Sequence, residues 1–247
     1  MEYRKDVNLE FLQHLKHEEL EELENILLYG MNKEDRIKKN TVISSELAEY
    51  SMYKTWHNIY RPNCWEAYAS ELQHYGGNTI MNTFRKTGVL YQEILEEVMG
   101  KVGVKFHLNR GIESNEQMLL IDIFDKAFDV LSPEEKEKIL KALGSQGFSI
   151  NGAQISQGIM TILKIGGFKS YQLLLIVANQ VSKFIFGRGI ALAGNVLLTQ
   201  VLLAIGPIGW AITGVWKSSG AAYRITIPAV VQVAILRIIY NAHQYDE

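Results

Sequence analysis

The sequence is poor in the residues that make many functions recognisable. It has one cysteine, Cys64, in 247 residues, which excludes a disulfide framework and any thiolate zinc or iron-sulfur cluster, since each needs several cysteines. No cofactor or metal is expected. The first eight residues, MEYRKDVN, carry four charges and open no apolar stretch, so no cleavable signal is expected and the cytoplasm is the expected location. Four prolines and 20 glycines exclude collagen-like and proline-rich chains, and an apolar share of 47% excludes disorder as the main state. One sign of charge is also missing over a long stretch: no acidic residue falls between Glu137 and Asp246.

That absence divides the chain. Residues 1–147 hold 18 Lys plus Arg against 25 Asp plus Glu, a net of −7, whereas residues 148–247 hold 7 against 2, a net of +5. Lys138, Lys141, Lys164, Lys169, Lys183, Arg188, Lys217, Arg224 and Arg237 are the only charged residues in the acid-free stretch. Ordinary soluble surfaces intersperse both signs. Within this basic part, Gly189 to Trp216 runs 28 residues without a charge, 18 of them apolar and five glycine. That is long enough for one bilayer-spanning helix, which needs roughly 20 apolar residues. The Gly206-Pro207 step instead favours two arms, Ile190 to Ile205 and Ile208 to Trp216, closed as a hairpin. Arg188 and Lys217 would flank it on one face, Trp210 and Trp216 would lie along the second arm, and Ala204, Gly206 and Gly209 would allow close helix approach. The alternative is a buried hairpin in the core of a soluble helical domain. Two further apolar segments, Tyr171 to Phe186 around Lys183 and Ile225 to Leu236 before Arg237, would pack around it.

Helix punctuation is frequent elsewhere. Asp6 or Asn8 could cap Leu9 to Lys16, and His17 to Tyr29 places Leu20, Leu23, Ile26 and Leu27 at helical spacing before Gly30. Met31 to Asn40 carries six charges and is expected as a solvated connector. Pro62 and Asn63 should start a helix running to Tyr75, stopped by Gly76 and Gly77, with Asn78 to Lys86 and Val89 to Met99 following. Ser114 with Gln117 and Ser132 with Glu135 have capping-box spacing, the second with Pro133 at the first helical position. Only VKFH, ending at His107, and RITI, from Arg224 to Ile227, alternate as strands do, and both are too short for a sheet. The expected fold is all-α: a multi-helix bundle with an acidic amphipathic N-terminal part and a very apolar, basic C-terminal part. Its expected segments are a helical pair (1–40), an acidic helical domain (41–147) and an apolar, basic domain (148–247) with the central hairpin 189–216.

Catalytic patterns are sparse. His14 and His17 lie three apart with no acidic or thiol pair to complete a metal site, so they are expected on the surface. Glu71 and His74 make one Glu-x-x-His step, where a di-iron bundle needs two steps and two further Glu. Gly187, Gly189 and Gly194 lack dinucleotide-fingerprint spacing, and Cys64, though near His57, has no electropositive helix start to activate it. No enzymatic activity is expected, although convergence of Glu71, His74 and Tyr75 in a polar pocket would argue otherwise. The cations are too dispersed for a nucleic-acid stripe. Trp56, Tyr60, Trp65 and Tyr68 fall near helical spacing, as core residues or as a partner face.

Three stretches carry a family likeness: LEFLQHL with LEELENIL, ELQHYGGNTI with GVLYQEIL, and GGFKSYQLLLIVAN, GRGIALAGN, GPIGWAITGVW and GAAYRITIPAV. Over essentially the whole chain they resemble the bacterial YaaW family, whose body is matched to the ubiquinol-cytochrome c chaperone family, helical factors that assist assembly of a membrane respiratory complex. The resemblance implies an assembly role and brings no catalytic residues. Its motif residues here are Glu71, Leu72, Gln73, Tyr75, Gly76 and Gly77, and Gly206, Pro207, Gly209, Tyr223, Arg224, Thr226, Pro228 and Ala229. Read physically, Thr226 or Ile227 would cap a last helix started by Pro228, and Arg224 would point at a carboxylate of the acidic half or at a lipid phosphate. The acidic half would then shield the basic one. The function expected is non-enzymatic association with an anionic membrane surface or a membrane-protein client, peripheral or reversible at the inner membrane. Insertion of the hairpin, as in colicin-type pore domains, and a plain soluble interaction module are the alternatives, and homo-oligomerisation is left open.

Overall fold

The helix stops and caps of the sequence are realised as eight α-helices among the described residues, which in this computed structural model are 3–30, 64–75, 88–190 and 223–245. They are α1 (His17–Tyr29), α2 (Cys64–Tyr75), α3 (Tyr91–Val102), α4 (Ile112–Asp129), α5 (Pro133–Ser145), α6 (Ile155–Ile165), α7 (Gly167–Phe186) and α8 (Tyr223–Tyr245). Short 3-10 turns lie at Glu10–His14 and Gly152–Gln154, and no strand occurs among the described residues. The all-α expectation holds. The hairpin beyond Ile190, the Met31 to Asn40 connector, the Asn78 to Lys86 helix, His57, Trp56 and Tyr60 lie outside the described residues.

The last helix organises the packing. α8 touches α1, α2, α3, α4, α7 and the Glu10–His14 turn, so elements from both halves of the charge division meet on it. Twelve of its apolar residues, from Ile225 to Ala242, are buried. A helix apolar on every face is stable in water only when neighbours cover it all round, and each Val or Ile so covered stabilises by about 1.5–3 kcal/mol. α7 is built likewise: Tyr171, Leu173 to Val181 and Phe184 to Phe186 are buried, Phe184 meets Phe124 of α4 at 6.3 Å between ring centroids, and the Tyr171 hydroxyl donates to the Ile238 carbonyl of α8 at 2.8 Å. Trp65 and Tyr68 belong to this core, which favours the packing role for the two described aromatics of their series.

Several local expectations need correction. The chain from Leu9 forms only the short Glu10–His14 turn, because Asp6 is engaged elsewhere: one carboxylate oxygen accepts from the Asn8 N–H at 2.9 Å and the other from the Tyr91 N–H at 2.6 Å. α3 begins at Tyr91, two residues after Val89, and Asp6 serves the donor at its start. Ser114 caps nothing; α4 already starts at Ile112 with Gly111 at its N-cap. The stretch ending at His107 is a loop held by buried Asn115, whose amide accepts from the His107 N–H at 2.8 Å and donates to the His107 carbonyl at 3.0 Å. Ser132 and Glu135 do form their reciprocal capping box, at 3.3 and 3.0 Å. Pro228 does not start the last helix and neither Thr226 nor Ile227 caps it. The helix is in place from Tyr223, with Pro228 inside it, so RITI is helical. A proline there removes the donor that would meet the Arg224 carbonyl, a cost tolerated because the flanking residues are buried against neighbours.

Candidate functional site

Of the residues expected to meet a membrane or client, Arg188, Tyr223, Arg224 and Pro228 are described; Ala204, Gly206, Pro207, Gly209, Trp210, Trp216 and Lys217 lie outside the described residues. Arg188 follows the left-handed Gly187 that ends α7, and its carbonyl is bound by the Ser182 hydroxyl at 2.8 Å, which turns the chain back along the helix. Its guanidinium pairs with Glu22 of α1. Tyr223 donates its hydroxyl to Glu97 of α3, with the Lys101 ammonium 4.7 Å from the ring centre. Arg224 is exposed at the same end of α8. The expected link between basic and acidic halves therefore exists, but Arg188 and Arg237 make it.

Arg237 forms the most buried of these links. Its Nε donates to Glu116 of α4 at 2.5 Å and its Nη2 to the Asn8 carbonyl at 2.6 Å, while the guanidinium lies 4.1 Å from the Phe11 ring centre. The Arg237 side chain is 13% exposed and that of Glu116 is 2% exposed. The other Glu116 oxygen accepts from the Tyr91 hydroxyl at 2.8 Å, and Asp6 holds the Tyr91 N–H, so one chain of contacts ties the N-terminal segment, α3, α4 and α8. Burial pushes the Glu116 carboxyl above its ordinary value; Arg237 and the Tyr91 hydroxyl offset this only in part. Burial also drives the Tyr91 phenol well up, with the neighbouring Glu116 charge adding to it. Toward the far end of α8, Glu19 of α1 accepts from the Lys16 N–H at 2.9 Å and lies 3.1 Å from the His243 ring nitrogen.

The two family motifs meet directly. Thr226 is buried, and its hydroxyl donates to the Tyr75 carbonyl at 3.3 Å, supplying one of the carbonyls that the end of α2 leaves without a helical donor. Gln73, fully buried, exchanges two bonds with the backbone of Arg4, at 3.0 and 2.8 Å, and its own carbonyl accepts from the Val89 N–H at 3.0 Å. Gly88 lies so close that a Cβ there would come within 2.6 Å of the Gln73 Cβ. The Arg4 guanidinium donates to the Gly88 carbonyl at 3.1 Å, completing this clamp. Glu71 is buried, and burial lifts the half-buried Tyr75 phenol to about 12. His74 places Nδ1 2.5 Å from the Ser70 carbonyl of its own helix. These contacts give the described motif residues an architectural role; Gly76 and Gly77 lie outside the described residues.

Sequence reasoning counted Arg237 among dispersed cations, read Asp6 only as a local helix cap, and did not single out Glu116 or Tyr91. One signal was available: a lone cation inside a long apolar helix must find a partner when the helix is buried. Which carboxylate would supply it depends on the packing of four elements, which no local pattern encodes.

Comparison with known proteins agrees with the whole-chain likeness. A family model described as Domain of unknown function (DUF3944) matches residues 3–37, the stretch that contributes Asp6, Asn8, Phe11, Glu19 and Glu22 to these contacts. A UPF0174 protein of Helicobacter pylori strain J99 is 39% identical over 243 residues, covering 96% of this chain and 93% of its own length. A second UPF0174 protein of that strain is 35% identical over 178 residues, 68% of this chain and 85% of its own. The UPF0174 protein YaaW of Escherichia coli K12 is 30% identical over 252 residues, 98% of each chain. These matches do not show the expected relation to the ubiquinol-cytochrome c chaperones. No solved structure matches the chain.

Proposed function

The chain belongs to the UPF0174 family, and from its packing we propose that it is a non-enzymatic helical protein that associates reversibly with an anionic membrane surface or a membrane-protein client. It works from the cytoplasm, and its acidic helices act as a cover over its apolar, basic part. The supporting observation is the state of α8. Its Tyr223–Gln244 stretch is long and apolar enough to cross a membrane, yet 83% of its apolar window is buried. Glu22, Glu97 and Glu116, all from the acidic half, hold Arg188, Tyr223 and Arg237 of the basic half, and Glu19 lies beside His243. Lipid phosphates or acidic client residues compete chemically for the two arginines among them.

Fractionation of lysed cells, repeated with a salt wash, tests this. Part of the protein should sediment with membranes and be released by salt, and purified protein should float with phosphatidylglycerol vesicles at low ionic strength. Complete recovery in the high-speed supernatant, with no vesicle or client binding at low salt, would overturn it. The burial of α8 favours one other role, a soluble interaction module in which that helix is simply the core. That role predicts the overturning result.

A further inference from the structure

The junction of α6 and α7 leaves an apolar corner uncovered on the basic half. Ile165, the last residue of α6, is 79% exposed, and Phe168, in the first turn of α7, is 52% exposed. Between them Gly166 and Gly167 take φ values of 75° and 78°, which only glycine adopts without strain, so the chain reverses within two residues and holds both apolar side chains on one corner. Open space lies beyond the Cβ position of each glycine. Lys164 and Lys169 flank the pair and are exposed. The corner is not a frayed end: Ile155 and Ile159 anchor α6 in the core, and the Ser170 hydroxyl shares its one proton between the Ile162 and Gly166 carbonyls, at 2.8 and 2.9 Å.

We propose that this corner is the tip by which the protein docks on an anionic lipid bilayer, Ile165 and Phe168 entering the headgroup region and Lys164 and Lys169 contacting lipid phosphates. An aliphatic and an aromatic side chain set between two lysines on an amphipathic turn have the composition of an interfacial anchor. The charge argument selects lipid over other occupants. The corner carries two cations and no acid, and the acid-free stretch extends from residue 138 to residue 245 in sequence, so an anionic surface is the complementary partner. The first turn of α7 has no side-chain cap, which adds partial positive charge of the same sign. This proposal rests on the membrane-association reading and assigns its contact to described residues of α6 and α7.

The full-length chain should be floated with vesicles of phosphatidylcholine alone and of phosphatidylcholine with phosphatidylglycerol. Wild-type protein should float with the anionic vesicles. The paired variant Ile165→Ser/Phe168→Ser should lower the partition coefficient by about tenfold or more. Lys164→Gln/Lys169→Gln should lower it by about fivefold per lysine, with no such loss on neutral vesicles. Val130→Ser, also on an exposed side chain, should change nothing. If wild-type protein floats and both corner variants float equally well, the corner is not the tip, and membrane association stands on other residues. Failure of wild-type protein to float removes this proposal, whereas the wider reading falls only if client binding is absent as well. If the corner variants instead abolish a concentration-dependent dimer and leave flotation unchanged, the corner seats a second copy and the lipid assignment is wrong.

Discussion

Replacing Glu116 and Arg237 singly and together measures how α8 is held. Glu116→Leu leaves Arg237 with the Asn8 carbonyl and the Phe11 ring as its remaining partners, and Arg237→Met leaves a carboxylate whose side chain is 2% exposed without its cation. Removing one partner of a pair this buried costs about 3–5 kcal/mol, because the other charge stays desolvated. Replacing both by apolar groups removes the desolvation penalty as well. The double variant then keeps only an orphaned Tyr91 hydroxyl and Asn8 carbonyl, about 1 kcal/mol each. It should therefore be more stable than either single variant, with a coupling energy of about 2–3 kcal/mol or more. Urea unfolding followed by far-ultraviolet circular dichroism gives all four stabilities. The singles should also differ with pH. Glu116 already lies above its ordinary value, and loss of Arg237 raises it further. A carboxyl raised in the folded state contributes most below its unfolded value and loses that contribution as pH rises through the folded value. The deficit of Arg237→Met should thus shrink on acidification, whereas that of Glu116→Leu should not shrink by this route. Additive single losses, or identical pH profiles for the two singles, would refute the buried pairing.

Gly88→Ala would place a Cβ 2.6 Å from the Gln73 Cβ and should destabilise by about 1–3 kcal/mol through overpacking, read as a lower thermal midpoint. Ser132→Ala removes the α5 cap and should cost about 1 kcal/mol in urea unfolding. Tyr75, raised from 10.0 to about 12, favours the folded state while neutral, and that contribution is lost as pH rises from 10 towards 12; Tyr75→Phe should show a shallower loss of thermal stability over that window.

Much of the helical framework was legible because it is local. His17 to Tyr29 carries its own 3.6-residue stripe, and the Ser132 box needs only four residues to specify itself. The errors arise where a distant residue satisfies the local donor or acceptor. Asp6 looks like a cap for its own neighbourhood, yet half of its carboxylate is committed 85 positions away at Tyr91. Thr226 and Pro228 read as a helix start, yet burial of the chain on both sides of the proline carries the helix through it, and the Thr226 hydroxyl serves the end of α2. The candidate site was only half legible for the same reason. The excess of cations in one half and acids in the other implied that they would meet. Which pairs formed depended on which side chains the apolar packing of α8 brought within reach, so buried Arg237 took the strongest partner and exposed Arg224 did not.

The charge links between the halves are unequal, and the inequality would give the proposed cover an order of release. At Arg188–Glu22 the side chains are 48% and 17% exposed, whereas at Arg237–Glu116 they are 13% and 2% exposed. The more exposed pair is the more readily screened by salt, while opening the buried one exposes two desolvated charges and the core around them. An anionic surface would therefore displace Glu22 from Arg188 long before it reached Arg237. Docking at the Ile165–Phe168 corner requires neither event. The Arg188 carbonyl is fixed to Ser182, fourteen positions along α7 from Phe168, or about 20 Å at helical rise. A surface contact at the corner and loosening of the cover at Arg188 are thus separable steps. Arg188→Gln should leave vesicle flotation intact and change only the later loosening, read as the protection of the α1 amides in hydrogen exchange on vesicles. If Arg188→Gln abolished flotation as thoroughly as the corner variants do, the two steps would be one, and the order argued from burial would be wrong.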